Sequence, residues 1–110
     1  MRKIKFRAWD KQNNKIVNWE EFGCVALDDC LRGKSENYIL MQFTGLLDKN
    51  GKDIYCSDFV GVSKEKYGEV YWNNDELAWW IEPIGEYPNE PLRGKGNAVE
   101  VLGNKFEGIV

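Results

Sequence analysis

The chain has 110 residues, 43% of them hydrophobic and 14% aromatic, with a net charge of −3 and no histidine. Such a length holds one domain or two small lobes sharing a core, and the apolar content excludes a disordered chain. The missing histidine excludes the common zinc ligand sets other than all-sulfur or carboxylate ones. No run reaches membrane-spanning length, and Met1-Arg2-Lys3 leads into alternating charge rather than an apolar signal region. The expectation is a cytoplasmic protein without a membrane partner.

Charge is unevenly spread. Residues 1–19 hold Arg2, Lys3, Lys5, Arg7, Lys11 and Lys15 against Asp10 alone, a balance of +5, so the remainder carries −8. A general nucleic-acid binder needs clustered cations across a whole face, which an acidic body with one basic arm does not supply. The split suits an arm that meets an acidic surface, on the same chain or on a neighbour.

Ile4-Lys5-Phe6-Arg7-Ala8 alternates with period two, placing Ile4, Phe6 and Ala8 on one face and Lys5, Arg7 and Trp9 on the other. With the polar turn Asp10–Asn14 and the resumed pattern Ile16–Trp19, it predicts a hairpin over residues 3–19. In the segment 20–36, Glu21–Leu27 is expected as a short strand and Asp28–Arg32 as one helical turn capped by Asp28. Tyr38–Phe43 is apolar on both faces and predicts a strand covered on both sides, broken at Gly45. Asp48-Lys49-Asn50-Gly51-Lys52 predicts a tight reversal with positive φ at both Asn50 and Gly51.

From Phe59 the pattern is a meander. Phe59–Val62, Glu69–Trp72, Leu77–Glu82 and Ala98–Leu102 are predicted strands, the last ended by Gly103-Asn104. The second follows a loop over 63–68 and the third a turn over 73–76. Pro83–Gly96 holds all three prolines and three glycines and is a long connection. Four short strands at this spacing predict a small barrel, because closure removes exposed edges.

Two long motifs carry a resemblance. Met1–Asp10 resembles the opening of the YopX family of phage and prophage proteins. Met41–Tyr55 resembles that family's central signature, with its barrel-opening strand following at Asp58-Phe59-Val60. Val101-Leu102-Gly103-Asn104 resembles its closing motif. The resemblance implies a mainly β fold with little helix, an N-terminal β-hairpin lobe (1–53) packed on a C-terminal SH3-like small barrel (54–110). It also implies a gene carried by a phage or prophage of a low-GC Gram-positive bacterium. One departure is local: the family pattern has an acidic residue and Gly where this chain has Cys56-Ser57. If Gly there supplies positive φ, Ser57 costs roughly 1 kcal/mol, or the turn takes another form. The resemblance carries over no catalytic residue.

Catalytic candidates are few. Asp48, Asp53 and Asp58 lie close together, and paired carboxylates bind hard cations or share a proton, but such residues more often close turns through their side chains. Cys24, Cys30 and Cys56 match no metal spacing and read as small buried thiols. A Cys24–Cys30 disulfide would need an oxidising compartment that nothing in the sequence suggests. The expectation is no enzyme, no metal and no cofactor. Candidate partner-binding residues are Lys5, Arg7 and Trp9, a cation-plus-ring face, together with Trp72 and Trp80. Alternation turns either Trp79 or Trp80 outward; with Trp79 in the core, Trp80 packs under the 83–96 connection or forms a contact patch. The leading expectation is a non-enzymatic interaction module that forms a homo-oligomer and meets a host or phage protein. The alternative is a single-stranded nucleic-acid binder using Lys5, Arg7 and Trp9, which the charge balance disfavours.

Overall fold

The computed structural model describes residues 4–18, 20, 37–95 and 98–109. The strand, the helical turn and the two cysteines expected within 21–36 lie outside these residues, as does Trp19. The protein is mainly β. Its strands in chain order are β1 (Phe6–Asp10), β2 (Lys15–Val17), β3 (Tyr38–Leu47), β4 (Asp53–Tyr55) and β5 (Asp58–Ser63), followed by β6 (Lys66–Asn73), β7 (Ala78–Pro83), β8 (Glu90–Pro91), β9 (Glu100–Asn104) and β10 (Gly108–Ile109). They form a four-stranded sheet ordered β2-β1-β3-β4 and a six-stranded sheet ordered β10-β9-β5-β6-β7-β8. The second sheet curls into half a barrel, compatible with the small barrel expected from the strand spacing. Contacts divide the chain into two units, Met1–Phe43 and Thr44–Val110, with the division inside β3.

In the first unit, Ala8 faces Val17 on one side and Leu40 on the other, and these apolar partners with Tyr38 make its small core. Arg7 is paired with Met41 and Trp9 with Ile39, so the cationic face of β1 shares its side of the sheet with Met41 and Phe43, both buried. Cover of β3 is therefore partial on both sides: Tyr38 and Leu40 are half-buried, whereas Ile39 and Gln42 are exposed.

Gly45 does not break β3. It sits at φ +87 and the strand continues to Leu47. Phe43 and Thr44 are buried in succession, so the inward parity changes here, and Leu46 then packs on the core of the second unit. That conformation is open to glycine because it has no Cβ to clash.

The core of the second unit is Ile54, Val60, Val70, Trp79, Ile81, Leu92 and Val99. Alternation along β5, β6 and β7 delivers Val60, Val70, Trp79 and Ile81 to one face, as period-two patterning requires. Alternation requires one of Trp79 and Trp80 to turn outward, and Trp79 is the buried one. Leu77, expected beside Trp79 and Ile81, is instead in the turn before β7 and 74% exposed. β6 begins at Lys66, three residues earlier than its pattern suggested, because its opening residues pair with the bent end of β5 at Ser63↔Lys66 and Gly61↔Tyr67. β9 likewise runs through Gly103 to Asn104, held by β5 on one side and β10 on the other.

The reversals share one device: a short polar side chain at the strand end accepts from the N–H groups of the turn. Asp10 Oδ1 accepts from Gln12 and Asn13, Ser63 Oγ from Glu65 and Lys66, Asn73 Oδ1 from Asp75 and Glu76, and Asn104 Oδ1 from Phe106 and Glu107. These side-chain acceptors replace water on groups the turn leaves without a ladder partner. At Asp48 the same device selects the turn type. Gly51 N–H donates to Asp48 O and only Gly51, at φ +80, is left-handed, so Asn50 lacks the positive φ expected of it. An aspartate at the first position favours this type I reversal followed by a left-handed glycine.

Candidate functional site

The enclosed carboxylates accept hydrogen bonds from turn and strand N–H groups and, at Asp10, from amide side chains as well. Asp48 is 4% exposed; its Oδ1 accepts from Asn50 and Lys52 N–H at 2.8 and 2.9 Å, and its Oδ2 from Val101 N–H at 2.9 Å. Burial raises its pKa, but the N–H groups of Val101, Lys52 and Asn50 outweigh it and hold the carboxyl below its ordinary value. Asp58 is fully buried and accepts from Tyr55 N–H at 2.8 Å. Asp10 is held below its ordinary value chiefly by the Asn13 side chain, against the cost of burial, with Asn37 and the turn N–H groups assisting. Among the described residues no three of His, Cys, Asp and Glu are grouped to hold a metal ion. Burial pushes the Cys56 thiol above its ordinary value, and Glu69 and Asp58 act in the same direction. A neutral, half-buried thiol is a weak nucleophile.

The residues singled out in the sequence fall in three places. Arg7 and Trp9 on β1 and Lys5 just before it are half-buried, with Lys5 Nζ 4.7 Å from the Phe43 ring centroid. Trp72 is 42% exposed and meets buried Trp79 edge-on, with centroids 5.2 Å apart. Trp80 lies on the opposite face of β6–β7, half-buried, with Tyr71 and Pro91 as its cross-strand partners. The sheet therefore separates Trp72 from Trp80, since register partners share a face and strand neighbours do not.

None of the five lines a cleft that the second unit carries elsewhere. That cleft, about 270 Å³, opens at the end of the half-barrel where β6 begins and β7 ends. Val60, Gly68 and Ile81 form its floor, continuous with the core. Val62 on the β5–β6 side and Ile84 and Tyr87 on the β7–β8 connection form its rim, exposed by 59%, 55% and 59%. Three of the large exposed apolar side chains thus border one opening, which isolated surface hydrophobics would not do. The charged lining residues are Lys66, Lys95 and Glu90. Glu90 is paired with Lys95 at 3.5 Å, whereas the Lys66 ammonium lies 5.9 Å from the Tyr87 ring centroid. A sign of this cleft was present in the sequence: Ile84 and Tyr87 are apolar residues within a proline- and glycine-rich connection, where turn chemistry alone calls for polar ones.

Among described residues no helix is long and apolar enough to cross a membrane. The fold is similar to that in the crystal structure of protein EF1440 from Enterococcus faecalis, with a TM-score of 0.65 and 18% identity over 97% of this chain and 96% of that one. At that identity the likeness is one of fold. No curated protein is significantly similar to the chain. The family model described as YopX protein matches residues 5–108, from the cationic strand β1 to the start of β10. The protein belongs to the YopX family.

Proposed function

We propose that the chain is a phage- or prophage-encoded interaction module that acts by docking, without catalysing a reaction, and that it self-associates. The observation that carries this reading is the apolar-rimmed cleft with an ammonium group at its mouth. Apolar side chains held out on a folded frame lose water when a complementary surface covers them. The carboxylates supply turn closure rather than proton transfer, and a thiol kept protonated agrees with the same reading. The uneven charge, +5 in residues 1–19 against −8 elsewhere, supports contact between copies. Light scattering across a concentration and salt series tests it. Association that grows with concentration and weakens as salt rises is the expected result, and a monomer at every concentration and salt level would remove self-association.

A further inference from the structure

Resting on that reading, we infer that the self-association is head-to-tail: the β6–β7 turn of one copy seats Leu77 in the barrel-end cleft of the next. The turn carries Asp75, Glu76 and Leu77, all exposed. Leu77 is 74% exposed and sits at φ +52, a left-handed conformation in which its Cβ crowds the backbone. A large apolar side chain held out at a strained position gains nothing for the isolated fold, and strain of this kind concentrates where a contact uses it. Trp72, 42% exposed, stands at the same end of the hairpin and widens the apolar tip. The tip is thus an apolar anchor flanked by two carboxylates.

The cleft is its complement. It offers an apolar rim, and its charged lining residues, two lysines and one glutamate, sum to +1. Lys66 has no carboxylate within ion-pair reach among the described residues. The volume of about 270 Å³ falls below the ~300–1,000 Å³ of sites for whole small molecules and suits one or two side chains. Cleft and tip lie at opposite ends of the same hairpin, since β6 runs from the cleft at Gly68 to the turn after Asn73, about 17 Å along a strand. One copy therefore cannot satisfy itself, and the contact is heterologous, extending into a ring or a filament. One turn in one cleft is a small interface, so the association is weak and depends on concentration.

Sedimentation velocity on the full chain, from micromolar to millimolar concentration, tests this with exposed-site variants. Leu77→Asp and Lys66→Glu are each expected to weaken association at least about tenfold, with thermal unfolding confirming that both remain folded. Leu77→Gly separates interface from fold: it relieves the left-handed strain, so it should raise the unfolding temperature while still losing association. The decisive sample mixes Lys66→Glu, whose tip is intact, with Leu77→Asp, whose cleft is intact. The expected product is a complex of one of each that grows no further. Association of the wild type that none of these variants changes would overturn the tip-in-cleft contact while leaving self-association standing. Loss at Lys66→Glu without loss at either Leu77 variant would assign the cleft to another occupant and also overturn it. A wild type monomeric throughout would remove self-association itself.

Discussion

Replacing Asp48 by alanine should weaken the fold far more than its place in a surface turn suggests. Oδ1 closes the turn through Asn50 and Lys52, and Oδ2 reaches Val101, 53 residues further along the chain. A hydrogen bond to a charged acceptor contributes about 1.5–3 kcal/mol. The N–H groups of Asn50 and Lys52 belong to exposed residues and regain water when the carboxylate goes, so each accounts for about 0.5 kcal/mol. Val101 is half-buried within β9, and its N–H, left without an acceptor, accounts for about 1–3 kcal/mol. The expected loss is about 2–4 kcal/mol, a fall in the melting temperature of about 10–20 °C. Urea unfolding should show it as a lower midpoint at unchanged m. A loss below about 1 kcal/mol would refute the idea that this carboxylate ties the turn to β9. The pH dependence follows in sign. Because the folded-state pKa of Asp48 lies below its ordinary value, its contribution is present above the unfolded carboxyl pKa. It is lost as pH falls through the folded one. Asp48→Asn should flatten that acid limb, whereas Asp10, also held low, keeps part of it.

Three further outcomes are expected. Ser57 occupies φ +71, so Ser57→Gly should stabilise the protein by about 0.5–1 kcal/mol, strain relief outweighing the added flexibility of the unfolded chain; a destabilised variant in urea titration would show that the hydroxyl matters more than the backbone. Cys56 should react with iodoacetamide at neutral pH more slowly than glutathione, because burial keeps it protonated. Peptide mapping of the adduct checks this, and a fast reaction would contradict the buried thiol. Labelled single-stranded oligonucleotides should show no binding with the steep salt dependence of phosphate contacts, and salt-sensitive binding that falls on replacing Arg7 or Trp9 would instead support the nucleic-acid alternative.

Several elements were legible because their causes are local. Alternation over Phe6–Ala8 and over Trp79–Ile81 marks strands without reference to anything distant, and it requires that Trp79 and Trp80 face opposite ways, though the packing decides which is buried. Asp48 beside Asn50-Gly51 marks a reversal in the same way. Where a neighbouring strand decides, the pattern misled. Lys66 enters β6 because β5 lies beside it, and Gly103 stays within β9 because β5 and β10 hold both its edges. The candidate site divides along the same line. Trp72 was recognisable as a surplus ring, but its place at one end of a hairpin whose other end is a cleft depends on register.

By itself, the sequence determined the strand-rich class, the family and the residues that close the turns, because hydrophobic period and turn chemistry act over a few residues. Only the tertiary structure decided which turn type Asp48 selects, that Asp48 binds Val101, and that Val62, Ile84 and Tyr87 border one opening. Those facts depend on strands distant in sequence being brought within hydrogen-bond or contact range, and no local pattern encodes which strand becomes the neighbour.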